Sequence, residues 1–278
     1  MKKTILPGSI LLLAMMTGTA IAGEKLIATY EQFNSVFTGD WQQYGELFTN
    51  LQHDLIPRLF LLVVTIVPLL FFLHYVAIGA KSFSHDGRQV YCYNLFVRAI
   101  HWIAALSFSL LVISGLSITF GTFFGSGTVG ILARNIHLIS TLIFTGSAFF
   151  MLLLWMKDML PALYDIKWMV IMGGYLSKEI KAVPAGKFNA GQKMWFWLAT
   201  LGGGIMAATG YFLYSLQGAT DTLRLSAIIH NFLGAVMVAM FVIHLYMSLF
   251  AIKGSLASMI NGYKGEAELK ILHSKFKF

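Results

Sequence analysis

The sequence predicts an all-α transmembrane protein: a four-helix bundle preceded by one extra transmembrane helix. Three observations predict it. Of 278 residues, 57% are hydrophobic and only 12% are charged, against roughly 25% charged in soluble domains. Apolar runs of at least about 20 residues, long enough to cross ~30 Å of hydrocarbon, recur five times. Histidines sit inside those runs, where an ionisable group is costly and marks function.

The composition also excludes several classes. It rules out a soluble enzyme, a disordered tail and a nucleic-acid binder with a basic face. A single cysteine, Cys92, rules out an internal disulfide, a Cys-type zinc site, an iron–sulfur cluster held by this chain alone and a CxxCH haem attachment. The net charge of +8 is read as excess Lys and Arg in cytoplasmic loops rather than as a nucleic-acid footprint.

The elements follow in order. Residues 1–22 are signal-like: Lys2 and Lys3 precede the apolar stretch Ile5 to Met16, and Ala20-Ile21-Ala22 fits a small-residue cleavage site. An uncleaved anchor is the alternative. Residues 23–55 form a periplasmic amphipathic helix segment. Tyr30, Phe33, Phe37, Trp41, Tyr44, Phe48 and Leu51 recur at spacings of three and four, on one stripe of a helix. That stripe fits lipid, the chain's own bundle or a partner subunit. The extra transmembrane helix occupies 56–80, with the apolar run Leu59–Ala80 and Pro68 inside it. The bundle occupies 95–265, with runs Ala99–Phe120, Ile131–Met156, Met194–Leu216 and Leu225–Ile252. Its longest loop, Lys157–Lys193, contains Pro161, Gly173, Gly174 and Pro184, which favour irregular or interfacial structure. Residues 266–278 are a cytoplasmic tail.

Segments 81–98, 157–193 and 253–278 carry fourteen Lys and Arg, against four in 23–58, 121–135 and 215–225. The first set therefore faces the cytoplasm. Five spans then put the carboxyl terminus in the cytoplasm and the amino terminus in the periplasm, which the signal-like start also implies.

Of eight histidines, His53, His85 and His273 fall in loops or the tail and are read as solvated. His74, His101, His137, His230 and His244 fall in apolar runs. His230 and His244 are fourteen residues apart, which brings both to one face of the fifth span about 21 Å apart along its axis. That is too far to share one metal ion and suits two stacked haems. The alternating direction of the spans pairs His137 with His230 towards the outer face, and His101 with His244 towards the inner face. Two bis-histidine sites at two depths are what b-type haems need. Gly115 and Gly234 could let a porphyrin approach the backbone, or simply let helices pack. His74 could replace His101 or His244, or serve a proton path or a haem propionate.

The motifs Arg98-Ala99-Ile100-His101-Trp102, Asn135-Ile136-His137, Ile229-His230-Asn231 and Ile243-His244-Leu245-Tyr246-Met247 fall in order on four spans. Lys187-Phe188-Asn189-Ala190-Gly191-Gln192-Lys193 stands before the fourth. Over roughly residues 95–265 the chain resembles the cytochrome b (gamma) subunit of membrane-bound, quinone-linked formate dehydrogenases. The resemblance implies a bundle carrying two haem b, with His101, His137, His230 and His244 as axial ligands. It implies a quinone site by the inner haem, formed by Asn189, Gly191 and His244, with Gln192 beside them; menaquinone is the quinone expected. It also implies a bacterial inner-membrane location and two partners, an iron–sulfur subunit and a catalytic formate dehydrogenase subunit. Formate would be oxidised in the partner, since no formate-oxidising site is present in this chain. Residues 1–94 inherit nothing from the match.

Independently, Asn189 offers one acceptor and two donors to a quinone carbonyl, and Gly191 removes a side chain that would block a flat ring. The plainer alternative is that Asn189 caps the fourth span. At the level of function the alternatives are a cytochrome b of a hydrogenase or other periplasmic oxidoreductase, and a membrane transporter or anchor with pathway-lining histidines.

Overall fold

The computed structural model describes residues 44–83, 87–125 and 127–278. The signal-like segment, most of the aromatic segment and His85 lie outside the described residues. Among the described residues, five helices are long and apolar enough to cross a membrane: α1 (Gly45–Ile78), α2 (Leu95–Thr119), α3 (Thr128–Trp155) and, after a short helix α4 (Leu163–Val170), α5 (Ala190–Ser215) and α6 (Thr220–Ala251). A final short helix, α7, covers Glu266–Leu272. Among the described residues the sheet content is one small antiparallel pair, β1 (Gln89–Tyr91) with β2 (Tyr263–Gly265), in the register Val90 opposite Lys264.

The start of α1 differs from the sequence expectation. The end of the aromatic segment does not form a separate element, because helix runs from Gly45 through a π-helical turn at Leu51–Leu55 into the apolar stretch. Leu47, Phe48, Leu51 and Leu55 continue the apolar character, and no breaker stands before Pro57, which stands just after the π-helical turn. Pro68 is accommodated inside the helix.

The chain divides into two compact units. One comprises residues up to His53 together with Thr209–Ile229. In it Phe48 packs with Leu216, Leu223 and Ala227, and the buried Arg224 guanidinium lies 3.3 Å from the Asp221 carboxylate.

The other unit comprises Asp54–Ala208 and His230–Phe278. Here α2 and α3 pack along their length. Ala104, Phe108, Phe144, Ala148, Ala199, Met237 and Phe241 form a core drawn from α2, α3, α5 and α6. Small residues let these helices approach, and the phenyl rings fill the centre. Serines within the spans, among them Ser107, Ser114 and Ser147, donate to the carbonyl four residues back, so their hydroxyls are satisfied without water.

Helix starts are set by side chains. Asn94 Oδ1 accepts from Val97 N at 2.9 Å and caps α2. Asp165 Oδ2 accepts from Ala162 N at 2.7 Å at the start of α4. Asn189 and Gln192 form a reciprocal capping box, each side-chain oxygen accepting the other's backbone N–H at 2.9 Å, and so start α5.

Candidate functional site

Two histidine pairs face each other across the larger unit. The His101 ring on α2 and the His244 ring on α6 have centroids 6.4 Å apart, with an interplanar angle of 56°. The His137 ring on α3 and the His230 ring on α6 are 6.3 Å apart, at 55°. These are the two pairs expected from span direction. Fourteen residues separate the α6 members, about 21 Å along the axis. Seven residues beyond both His101 and His137 stand Phe108 and Phe144, whose centroids are 5.0 Å apart. The aromatic core thus occupies the levels between the pairs.

Each pair is supported by its neighbours. Ser114 Oγ gives its proton to the Leu110 carbonyl at 2.6 Å, so it accepts from His137 Nδ1–H at 3.0 Å. That bond fixes the tautomer and leaves Nε2 with its lone pair, the state a metal ligand needs. Gly115 provides the space: a Cβ there would stand 3.3 Å from His137 Cε1. Gly115 fits neither of the two readings given for the glycines: it makes room for an imidazole. At Gly234 a Cβ would meet Met206 and Phe60 at 3.5 Å, ordinary helix packing. In the other pair, Trp195 stacks on His244 with centroids 5.7 Å apart at 23°, and His101 Nδ1 is buried without a hydrogen-bond partner.

His74 is placed differently. Its Nε2–H donates to the Tyr175 carbonyl at 2.9 Å, and a carbonyl only accepts, so the Tyr246 hydroxyl donates to Nδ1 at 2.6 Å. Both ring nitrogens are bonded to protein, and the structure does not bring His74 into either pair.

Of the two readings weighed for the Asn189–Gln192 stretch, the helix cap is present. Its oxygens serve the capping box, so what Asn189 can offer a ligand is its amide N–H groups. Gly191 does not border a slot in this structure; Trp168 covers it, and a Cβ would fall 3.0 Å from Trp168 Cη2. Gly173 abuts the neighbouring atoms of the same benzo ring, where a Cβ would fall 2.6 Å from Cζ2. Gly173 also has φ of 60°, within a turn in which Met172 and Gly174 are left-handed too. One turn before Trp168, Asp165 forms a buried ion pair with Lys193, Oδ2 to Nζ 2.8 Å, and the Lys193 ammonium lies 5.1 Å from the Tyr164 ring centroid.

The tail is not solvated as expected. His273 is 3% exposed and donates from Nδ1 to the Gly186 carbonyl at 2.7 Å. Burial, with the nearby Lys264 ammonium adding to it, pushes its pKa down to about 3, against the opposing pull of the Gly186 carbonyl.

Ser114, Trp195, Trp168 and Asp165 were not singled out from sequence, and Tyr246 and Lys193 stood only within quoted motifs, with no role given them. Ser114 adjoins Gly115 and Trp195 lies four residues after Gly191, so helical spacing held a signal for both. The Asp165–Lys193 and His74–Tyr175 partners are brought together only by the loop's path.

Long apolar helices with two facing histidine pairs at different depths define a helical membrane protein of the cytochrome b type. Residues 92–262 match the profile of prokaryotic cytochrome b561, and the chain belongs to that family. It is 31% identical over 176 residues to the nitrate-inducible formate dehydrogenase cytochrome b556(Fdn) subunit of Escherichia coli K12, covering 59% of this chain and 79% of the relative. The formate dehydrogenase cytochrome b556 subunit of Haemophilus influenzae is 26% identical over 175 residues, covering 60% and 73%. The cytochrome b556(fdo) subunit of Escherichia coli K12 is 26% identical over 187 residues, covering 64% and 87%.

The family implies haem b, and the residues fit it. Two imidazoles binding one metal ion from opposite sides, each nitrogen about 2 Å away, hold their centroids roughly 6 Å apart. Both pairs meet that spacing.

Proposed function

We propose that this chain is the dihaem cytochrome b membrane subunit of a formate dehydrogenase complex. The observation that carries the reading is the pair of histidine couples with centroids 6.3 and 6.4 Å apart at two depths of one unit. His137 and His230 hold the outer haem, and His101 and His244 the inner one. Bound there, haem b supplies a one-electron carrier at each depth, so that electrons from a periplasmic iron–sulfur subunit cross to quinone at the cytoplasmic side. The names of the relatives support the formate dehydrogenase partner, and the lysine and arginine distribution supports a periplasmic amino terminus and a cytoplasmic carboxyl terminus in the bacterial inner membrane.

The chain's own residues have defined tasks in this reading. Ser114 orients the His137 imidazole, and Trp195 supports the His244 ring. Quinone, expected to be menaquinone, is reduced near His244, with the Asn189 amide donating to a carbonyl and Gly191 letting Trp168 lie against the backbone. Gln192 keeps Asn189 in place through the capping box. Residues 95–265 are the redox bundle, 56–80 the extra helix, 1–22 a targeting segment, 23–55 periplasmic and 266–278 cytoplasmic.

The test is purification of the complex from native membranes. Formate should reduce the b-type spectrum, and a short-chain naphthoquinone should reoxidise it. A preparation that contains no formate-oxidising partner, or whose haem responds to hydrogen rather than formate, selects a different donor.

A further inference from the structure

The first span lies outside the 92–262 match, and its most apolar 18-residue stretch is only 6% buried. Leu69, Leu70, Phe72, Leu73 and Val76 are all exposed. Yet its last residues and the chain just after it are tied down by polar bonds. His74 joins the Tyr175 carbonyl to the Tyr246 hydroxyl, and Phe71 packs on Tyr246 with centroids 4.6 Å apart. Past the left-handed Gly79, the Lys81 backbone accepts from Lys253 N at 2.9 Å and donates to Ala251 O at 2.8 Å. The Lys81 ammonium, on a side chain 8% exposed, donates to the Ser177 and Glu179 carbonyls, both at 3.0 Å.

These bonds have two common destinations. One is the stretch from Tyr246 to Lys253, the end of α6 and the two residues after it, just beyond His244. The other is the loop Tyr175–Glu179, which continues directly from the left-handed turn Met172-Gly173-Gly174. Gly173 of that turn abuts the Trp168 ring that covers Gly191, and Tyr175 packs edge-on to Trp168 with centroids 6.5 Å apart. A turn with three successive positive φ angles, one of them at a methionine, persists only where its surroundings hold it. His74 and Lys81 supply three bonds from outside the loop to carbonyls within five residues of it.

We propose that His74 and Lys81 are positioning residues for quinone reduction: the end of the first span straps the loop that keeps Trp168 on Gly191 to the helix end that carries His244. The extra span is then part of the quinone site's framework rather than an anchor only. This inference rests on the reading that quinone is reduced beside His244 and Gly191.

The test uses the whole complex in native membranes, with formate in excess and a short-chain naphthoquinone as acceptor. His74→Phe removes both imidazole bonds and Lys81→Met removes the ammonium bonds. Each should raise the naphthoquinone KM roughly tenfold, from the loss of one or two hydrogen bonds, with a much smaller change in kcat. Haem content and the rate of haem reduction by formate should stay at the parent level. His74→Gln, which keeps an N–H for the Tyr175 carbonyl, should restore part of the KM. If His74→Phe does not assemble, Lys81→Met and His74→Gln carry the test. An unchanged KM in these variants, while Gly191→Leu raises it, overturns the strap and leaves the quinone site standing. An unchanged KM in all of them, Gly191→Leu included, overturns both.

Discussion

Replacing Gly191 with alanine probes the point where packing and chemistry meet. The new methyl would lie 3.0 Å from Trp168 Cη2, whereas carbon atoms at their preferred separation are about 3.5–4.0 Å apart. The same benzo ring is already crowded at the adjacent Cζ2 by Gly173, where a Cβ would fall 2.6 Å away, so the ring has little freedom to shift. The strain therefore passes into the Met172–Gly174 turn or the start of α5. Overpacking of this kind costs about 1–3 kcal/mol. Thermal unfolding of the detergent-solubilised protein should fall by roughly 2–10 °C. Trp168→Phe removes the outer ring, so the double variant should lose less than the two single losses together, with a coupling of about 1 kcal/mol or more. The naphthoquinone KM should rise in Gly191→Ala at unchanged haem content. Parent-like stability in Gly191→Ala, or strictly additive losses with Trp168→Phe, would refute the argument.

Three further outcomes follow from the same geometry. Asp165→Asn leaves the Lys193 ammonium buried against Tyr164 without its counter-charge; unfolding should register a loss of about 3–5 kcal/mol, and adding Lys193→Met should recover much of it. Ser114→Ala removes the hydroxyl partner of His137 Nδ1; both haems should remain, and redox titration should show a shifted potential for one of them only. His273 is held neutral down to about pH 3, whereas an unfolded histidine titrates near 6.5. Between those values the unfolded chain binds the extra proton, so stability is full above pH 6.5 and falls with acid by up to about 1.4 kcal/mol per pH unit. Replacing His273 with glutamine should flatten that part of the stability–pH curve, measured by chemical unfolding.

The spans and the histidine pairing were legible because both are periodic properties. Apolar runs of membrane length announce themselves, and a fourteen-residue spacing returns two histidines to one helix face. Span direction then decides which partner each meets. The same arithmetic does not reach the loop between Trp155 and Ala190. Its left-handed turn, the placing of Trp168 over Gly191 and the bond from His74 to the Tyr175 carbonyl depend on tertiary contacts far apart in sequence. His273 was misjudged for a related reason: a short helix with buried Leu269 and Leu272 returns the tail to the protein, and a seven-residue helix leaves little periodic signal. The aromatic segment and the first span looked separable by composition, but continuous helical geometry joins the described end of the segment, from Gly45, to the span.

The central claim is that two histidine pairs, and no others, hold two haems. It is tested most directly by haem content and the reduced-minus-oxidised spectrum of the purified chain with His74, His101, His137, His230 or His244 changed to alanine. The account predicts two haems in the parent and in His74→Ala. One haem should remain in each of the other four, with His137 and His230 losing the same spectral component and His101 and His244 losing the other. Retention of both haems in His101→Ala together with loss of one in His74→Ala would contradict it.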